Sequence, residues 1–155
     1  MPDSLARAQQ ALWQVEGLHN QLVLVVGPAG SGKTRLLRAL QAARGCPLLN
    51  VGLELSRSLL ELSERDRRLQ TAKRFENLVR SAASARAPVL LDNTEILFAR
   101  ELSLLPLEAL QGVAHGRKVV ASWSGTVSGG RIMYAEPGHP EYRSYLATEL
   151  VVVEP

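Results

Sequence analysis

The sequence predicts a single three-layer α/β domain, with helices on both faces of a mainly parallel sheet. Three observations lead there. Short runs made almost wholly of Val and Leu recur at residues 21–26, 89–91, 118–121 and 150–153, and such runs suit strands covered on both faces. Stretches with apolar residues at helical spacing alternate with them, the order expected of a parallel sheet. The 155 residues allow one core, and 46% hydrophobic with 21% charged residues is an ordinary globular composition, which excludes disordered and collagen-like chains.

Residues 1–17 are expected to form an N-terminal amphipathic helix that buries Leu5, Leu12, Trp13 and Val15. The span 21–44 reads as a strand, a glycine-rich turn and a helix that Gly45 stops. After Pro47, residues 48–51 suggest a second strand and 53–62 a short leucine-rich helix. Ser63-Glu-Arg-Asp66 has the form of a capping box opening a longer basic helix over 63–86. That helix would place Leu69, Ala72, Phe75, Leu78, Val79 and Ala82 on one side and most basic residues on the other. Residues 89–95 hold an apolar strand ending in Asp92, and a further helix is expected from about 102 to 113, or from Pro106 onward. Residues 118–124 form another strand, leading from Trp123 into a glycine- and serine-rich connection up to Gly130. Residues 131–153 complete the domain. They read as a strand or hairpin arm over 131–135, a turn at Pro137-Gly-His-Pro140, a short helical turn over 141–146 and a closing strand.

Gly27-Pro28-Ala29-Gly30-Ser31-Gly32-Lys33-Thr34 satisfies the P-loop pattern, with the required strand before it and, from Arg35 on, the helix after it. Small residues let successive backbone amides turn toward phosphate oxygens, and the helix N-terminus adds partial positive charge. Lys33 is the mobile cation for the β- and γ-phosphates, and Thr34 offers a hydroxyl to Mg²⁺. ATP and Mg²⁺ are therefore the expected ligands. Asp92, ending an apolar strand, stands where a Walker B carboxylate partners the metal. The core expected is thus of the P-loop NTPase type, AAA+/ASCE-like.

Many ATPases of this class place a glutamate directly after the Walker B aspartate, but Asn93 stands there. Asn93 can orient a water without deprotonating it, which suggests slow turnover. Glu95 is the nearest carboxylate. It either swings back through a tight turn or serves as first-turn acid of the next helix. Ser122 and Ser124 flank Trp123 where AAA+ proteins carry a polar residue sensing the γ-phosphate, while Trp123 reads as core or interface. Arg143 falls in the region of an AAA+ arginine finger, with Arg131 and Arg117 as substitutes. Trp13, His19 and Asn20 precede the first strand and are candidates to border an adenine pocket.

The net charge is +3, and 15 of the 18 basic residues are arginine. Residues 57–86, from Arg57 to Arg86, carry a net +4, so DNA is a candidate partner through Arg65, Arg67, Arg68, Arg74 and Arg80. The single cysteine, Cys46, excludes an internal disulfide, and with three scattered histidines it argues against zinc. No apolar stretch approaches the roughly 20 residues of a membrane span, and residues 1–16 are too charged for a secretory signal, so a cytoplasmic protein without a membrane partner is expected. The absence of an Asn-Lys-x-Asp segment argues against guanine recognition. Arginines concentrated before the Walker B strand argue against a small kinase, which needs them in a lid.

Set beside the P-loop, the segments Leu91-Asp-Asn-Thr-Glu-Ile-Leu-Phe98 and Tyr134-Ala-Glu-Pro-Gly-His-Pro-Glu-Tyr142 give a chain that resembles BrxF, the small P-loop protein family of one type of BREX anti-phage system. The resemblance covers most of the chain. It implies a phage-defence component working beside a methyltransferase, a large ATPase, a phosphatase-like protein and a helicase. With nothing after Pro155 to form a helical lid, the pocket is expected to need completion by another copy or another BREX subunit. The function expected is a slow AAA+-like ATPase in an assembly, or alternatively a nucleotide-gated scaffold without catalysis.

Overall fold

A computed structural model gives the fold, and describes every residue except Met1, Ala85 and Pro137, with Pro2 described by its backbone alone. Strands β1 (Leu22–Gly27), β2 (Leu48–Asn50), β3 (Val89–Asp92), the first half of β4 (Val119–Ser128) and β7 (Val151–Val153) pair in parallel, in the order β2-β3-β4-β1-β7. Every residue of β1 and β3 is buried, as their uninterrupted apolar runs require. Helices α1 (Pro2–Gln14) and α2 (Lys33–Arg44) cover one face, where Leu12, Val15, Leu37 and Leu40 pack on Val23, Val25, Leu90 and Val120. Helices α3 (Val51–Leu59), α4 (Glu64–Ala82) and α5 (Pro106–Val113) cover the other, over Leu24, Val26, Leu91 and Val119.

Local sequence explains the helix ends. Gly45 takes φ +64 and its N–H returns to Gln41 O, closing α2. Asn50 accepts from Leu53 N at 3.0 Å and so starts α3 two residues ahead of expectation. Ser63 Oγ accepts from Asp66 N at 3.1 Å, the expected cap of α4. Pro106 occupies the first turn of α5, and the residues before it form two 3-10 turns, Thr94–Phe98 and Arg100–Leu102.

Two helix faces differ from expectation. Trp13 is 72% exposed, because the buried stripe of α1 runs through Ser4, Ala8, Ala11, Leu12 and Val15 and leaves it outside. In α4 Phe75 and Val79 are buried and Leu78 and Ala82 pack against the core as expected, but Thr71 joins that face and Leu69 and Ala72 are exposed. The helix is turned so that Arg67 and Arg74 reach the end of α3. Arg67 donates to Leu59 O and Leu60 O at 3.1 and 3.2 Å, and Arg74 to Ser58 O. Leu59 O also accepts from Leu62 N at 3.0 Å, and the guanidinium groups add partners to these carbonyls at the end of α3.

The C-terminal third departs most. Trp123 to Ser128 does not form a loose connection but continues β4: Trp123 and Ser124 still pair with β1, and Gly125 to Ser128 run antiparallel to β5 (Arg131–Tyr134). Gly129 and Gly130, both at positive φ, make the tight turn such a hairpin needs. Residues 143–146 are not a helical turn but strand β6 (Arg143–Leu146), which pairs with β5. Packing decides this: Tyr145, opposite Ile132, meets Trp123 edge-on at 5.7 Å. In the turn before β6, His139 N donates to Glu136 O and Tyr142 N to His139 O, while Pro137 lies outside the described residues.

Gly125 is required by this hairpin. A Cβ there would sit 1.8 Å from Met133 O, the carbonyl that also accepts from Trp123 Nε1 at 3.1 Å. Gly125→Ala is expected to cost about 3 kcal/mol, the upper range for forced overpacking, and denaturant unfolding checks it. Among the described residues, no helix is long and apolar enough to cross a membrane.

Candidate nucleotide site

The site forms where the parallel strands end. β1 stops at Gly27, and the loop that follows turns on Gly30 and Gly32 at φ +78 and +103, conformations that disfavour any side chain. Gly32 sits at the cap of α2 and offers no side-chain acceptor, so the first amides of the helix face the cleft uncapped. Lys33 is buried and its Nζ donates to Gly27 O and Pro28 O, both at 2.8 Å. An ammonium has three protons, so one stays available beyond these two bonds. Burial pushes the Lys33 pKa down, and the negative charges of Glu95 and Asp92 act against that push.

The opposite wall comes from β3 and the turn after it. Asp92 shares the sheet face of Leu90 and so points to the α2 side, where its Oδ2 accepts from Thr34 Oγ1 at 2.7 Å. Its Oδ1 accepts from Asn93 N at 2.9 Å. Asn93 takes φ +53, and the first turn of α3 presses on it. A Cβ on Gly52 would lie 3.2 Å from Asn93 O. Thr94, buried, donates to Ser122 O at 2.5 Å and pins the turn to β4. Glu95 then lines a cleft of about 380 Å³ together with Lys33, Thr34, Arg35, Asp92, Asn93 and Ser124. Glu95 thus belongs to the first turn of a 3-10 helix and lines the cleft.

β4 stands between the P-loop strand and the Asp92 strand, with Ser122 level with Val25 and Ser124 level with Gly27. Ser124 reaches the cleft wall, whereas Ser122 is buried beneath it. Among the described residues, Ser122 Oγ and Ser31 Oγ are buried atoms without hydrogen-bond partners.

Other candidates lie elsewhere. Asn20 bridges to His115, and His19 contacts His115 edge-on, at the start of β1. The strand's six residues put them about 20 Å from the phosphate loop, so with exposed Trp13 they border no pocket there. Arg117 donates to Ala83 O at 3.1 Å, closing the end of α4, and Arg131 donates to Ser144 Oγ at 2.7 Å across the β5–β6 pair. Arg143 is half-buried on β6, donates to Tyr142 O, and does not line its own chain's cleft. In the basic segment Arg67 and Arg74 are committed to α3, and Arg80 pairs with Glu76, which leaves Arg65, Arg68 and Lys73 as its exposed basic residues on α4 away from these contacts. Thr94 and Gly52 were not singled out by sequence; neither belongs to a motif, and their roles arise from α3 and β4 meeting the turn.

A phosphate loop, an uncapped helix start, a buried lysine and a Thr–Asp contact define a P-loop NTPase-like protein, a class whose members bind nucleotide with Mg²⁺. The sequence matches the family model described as AAA domain over residues 22–121, and the chain belongs to that family. No curated protein matches it. Among solved structures the chain is similar to the structure of C. elegans PCH-2, at 15% identity and a TM-score of 0.38. That likeness covers 99% of this chain, which spans 41% of the PCH-2 chain.

The lowered Lys33 pKa makes a pH prediction. Phosphate binding needs the charged ammonium, which exists below the folded-state pKa. Affinity for an ATP analogue is therefore expected to fall as pH rises through a value below the ordinary 10.5, and in Glu95→Gln, which loses a supporting charge, to fall at lower pH still. Calorimetric titrations across the alkaline range check this.

Proposed function

We propose that this chain binds ATP and hydrolyses it slowly, in an assembly with itself or with partner subunits, as a BrxF-like component of a BREX anti-phage system. The observation that carries the hydrolytic reading is the 2.7 Å bond from Thr34 Oγ1 to Asp92 Oδ2, with Glu95 on the same cleft. The BREX assignment rests on the resemblance of residues 91–98 and 134–142.

The residues fit Mg²⁺ with a nucleotide. Thr34 and Asp92 bring hard oxygen donors into contact, and the two orphaned hydroxyls of Ser31 and Ser122 under the loop suit a site that a ligand completes. When bound, the metal ion supplies positive charge that offsets charge on the transferring phosphoryl group. The chain's own residues do the rest. Amides from Gly30 to Thr34 cradle phosphate oxygens, Lys33 exchanges its loop carbonyls for them, and Ser124 donates at the wall. Asn93 orients a water, and Glu95 takes its proton. Arg143 lies on the edge strand β6 and outside its own cleft, and in an assembly it would act on a neighbouring copy.

Phosphate release tests this. The wild type is expected to release phosphate from Mg-ATP slowly, Lys33→Ala not at all, and Glu95→Gln about 100-fold more slowly than wild type, within the range for a general base. Turnover independent of Glu95 removes it as the base. A nucleotide-gated scaffold is the second reading, favoured by exposed Asn93 in place of an acid after Asp92, and it predicts binding without any Lys33-dependent release. DNA association would fall to Arg65, Arg68 and Lys73, and a steep loss of affinity with added salt is its signature.

A further inference from the structure

The segment that begins at Tyr134 plays no part in the phosphate cleft as described, yet its first residue is tied to Glu95 through one aromatic contact. Side chains three apart eclipse in a 3-10 turn, so Glu95 and Phe98 share a face of the turn Thr94–Phe98. Phe98 stacks on Tyr134 with centroids 3.6 Å and planes 8° apart, and meets Trp123 edge-on at 5.0 Å. Tyr134 stands on β5, whose register is locked by the Trp123 Nε1 bond to Met133 O and by the close approach at Gly125. The cleft lined by Glu95 and the neighbouring pocket of about 560 Å³ lined by Tyr134 share Ala29 and Ser124 as a common wall. Burial first, then the charges of Glu141 and Glu95, push the Tyr134 phenol up to about 12.

Resting on the hydrolytic reading above, we propose that Tyr134 is a positioning residue for Glu95: its ring clamps Phe98, and the clamped turn fixes where the carboxylate stands relative to Lys33. The hairpin that begins as an extension of β4 thereby becomes part of the hydrolytic apparatus without touching nucleotide. Gly125, Trp123 and the paired β6 strand are what keep that clamp in one place.

The test compares Tyr134→Leu, which removes the stack, with Tyr134→Phe, which keeps it. Tyr134→Leu is expected to lose about 10- to 100-fold in kcat with KM for ATP within about twofold, the pattern of a misplaced base, and Tyr134→Phe to stay within about threefold of wild type. Phe98→Leu removes the same stack from the other side and must reproduce the Leu pattern, which guards against poor folding of one variant. Equal losses in Tyr134→Phe and Tyr134→Leu, an unchanged kcat in Tyr134→Leu, or a loss carried by KM each overturn the proposal. Should the wild type release no phosphate, hydrolysis fails as a reading and the clamp is decided by crystal structures. A Glu95 carboxylate that moves in Tyr134→Leu supports it, and one that stays overturns it.

Discussion

Lys33→Ala is expected to weaken ATP binding about 100-fold, the roughly 3 kcal/mol of charge-assisted hydrogen bonds to phosphate. Geometry contributes here as well as charge. Lys33 is held on Gly27 O and Pro28 O, so its charge stands inside the loop before any ligand arrives, and little side-chain entropy remains to be lost on binding. Glu95 and Asp92 support its charge against burial, and their removal is not equivalent to removing the lysine. Calorimetry with a non-hydrolysable analogue measures the loss. A Lys33→Ala affinity within a few-fold of wild type would mean that the phosphates lie elsewhere.

Trp123→Ala is expected to destabilise the domain by about 3–5 kcal/mol, a large share of the 5–15 kcal/mol that holds a typical domain folded. The side chain is fully buried and contacts Phe98 and Tyr145 edge-on, so its loss opens a cavity where the 3-10 turn, β4 and β6 meet. It also removes the Nε1 donor from Met133 O, leaving that carbonyl without this bond. Denaturant unfolding measures the effect, and a loss under about 1 kcal/mol would contradict the packing described. Because the cavity borders Glu95's turn, the proposed hydrolysis would be impaired in this variant before it unfolds.

The parallel sheet and the phosphate loop were legible because each rests on local chemistry. Uninterrupted aliphatic runs permit two-sided burial, and Gly30, Gly32, Lys33 and Thr34 declare what the loop accommodates. Asp92 was legible only as the end of such a run, which suits a helix cap as well as a metal partner, and its contact with Thr34 comes from the fold. What was not legible depends on contacts distant in sequence. Trp123 to Ser128 looks like a connection by its glycines and serines, and becomes strand because Gly125, having no Cβ, leaves room for the Met133 carbonyl. Residues 143–146 pair with β5, a choice made by Trp123 under Tyr145 rather than by their own propensity. On α4 Phe75, Leu78, Val79 and Ala82 face the core as their spacing suggests, but Leu69 and Ala72 do not, because Arg67 and Arg74 turn inward to the end of α3. Glu95 could be assigned to a turn or to the cleft from sequence, and it is the 3-10 geometry after Asn93 that allows both.

The central claim is that one cleft binds the triphosphate and presents Glu95 to it. A crystal structure with Mg²⁺ and a non-hydrolysable ATP analogue tests it most directly. Phosphates are expected on the amides from Gly30 to Thr34, with Lys33 moved onto them from its two carbonyls and a metal ion held by Thr34 beside Asp92. Glu95 should then lie within one water of the γ-phosphate. Phosphates bound away from the loop, or a Glu95 turned out of the cleft with the γ-phosphate in place, would contradict it.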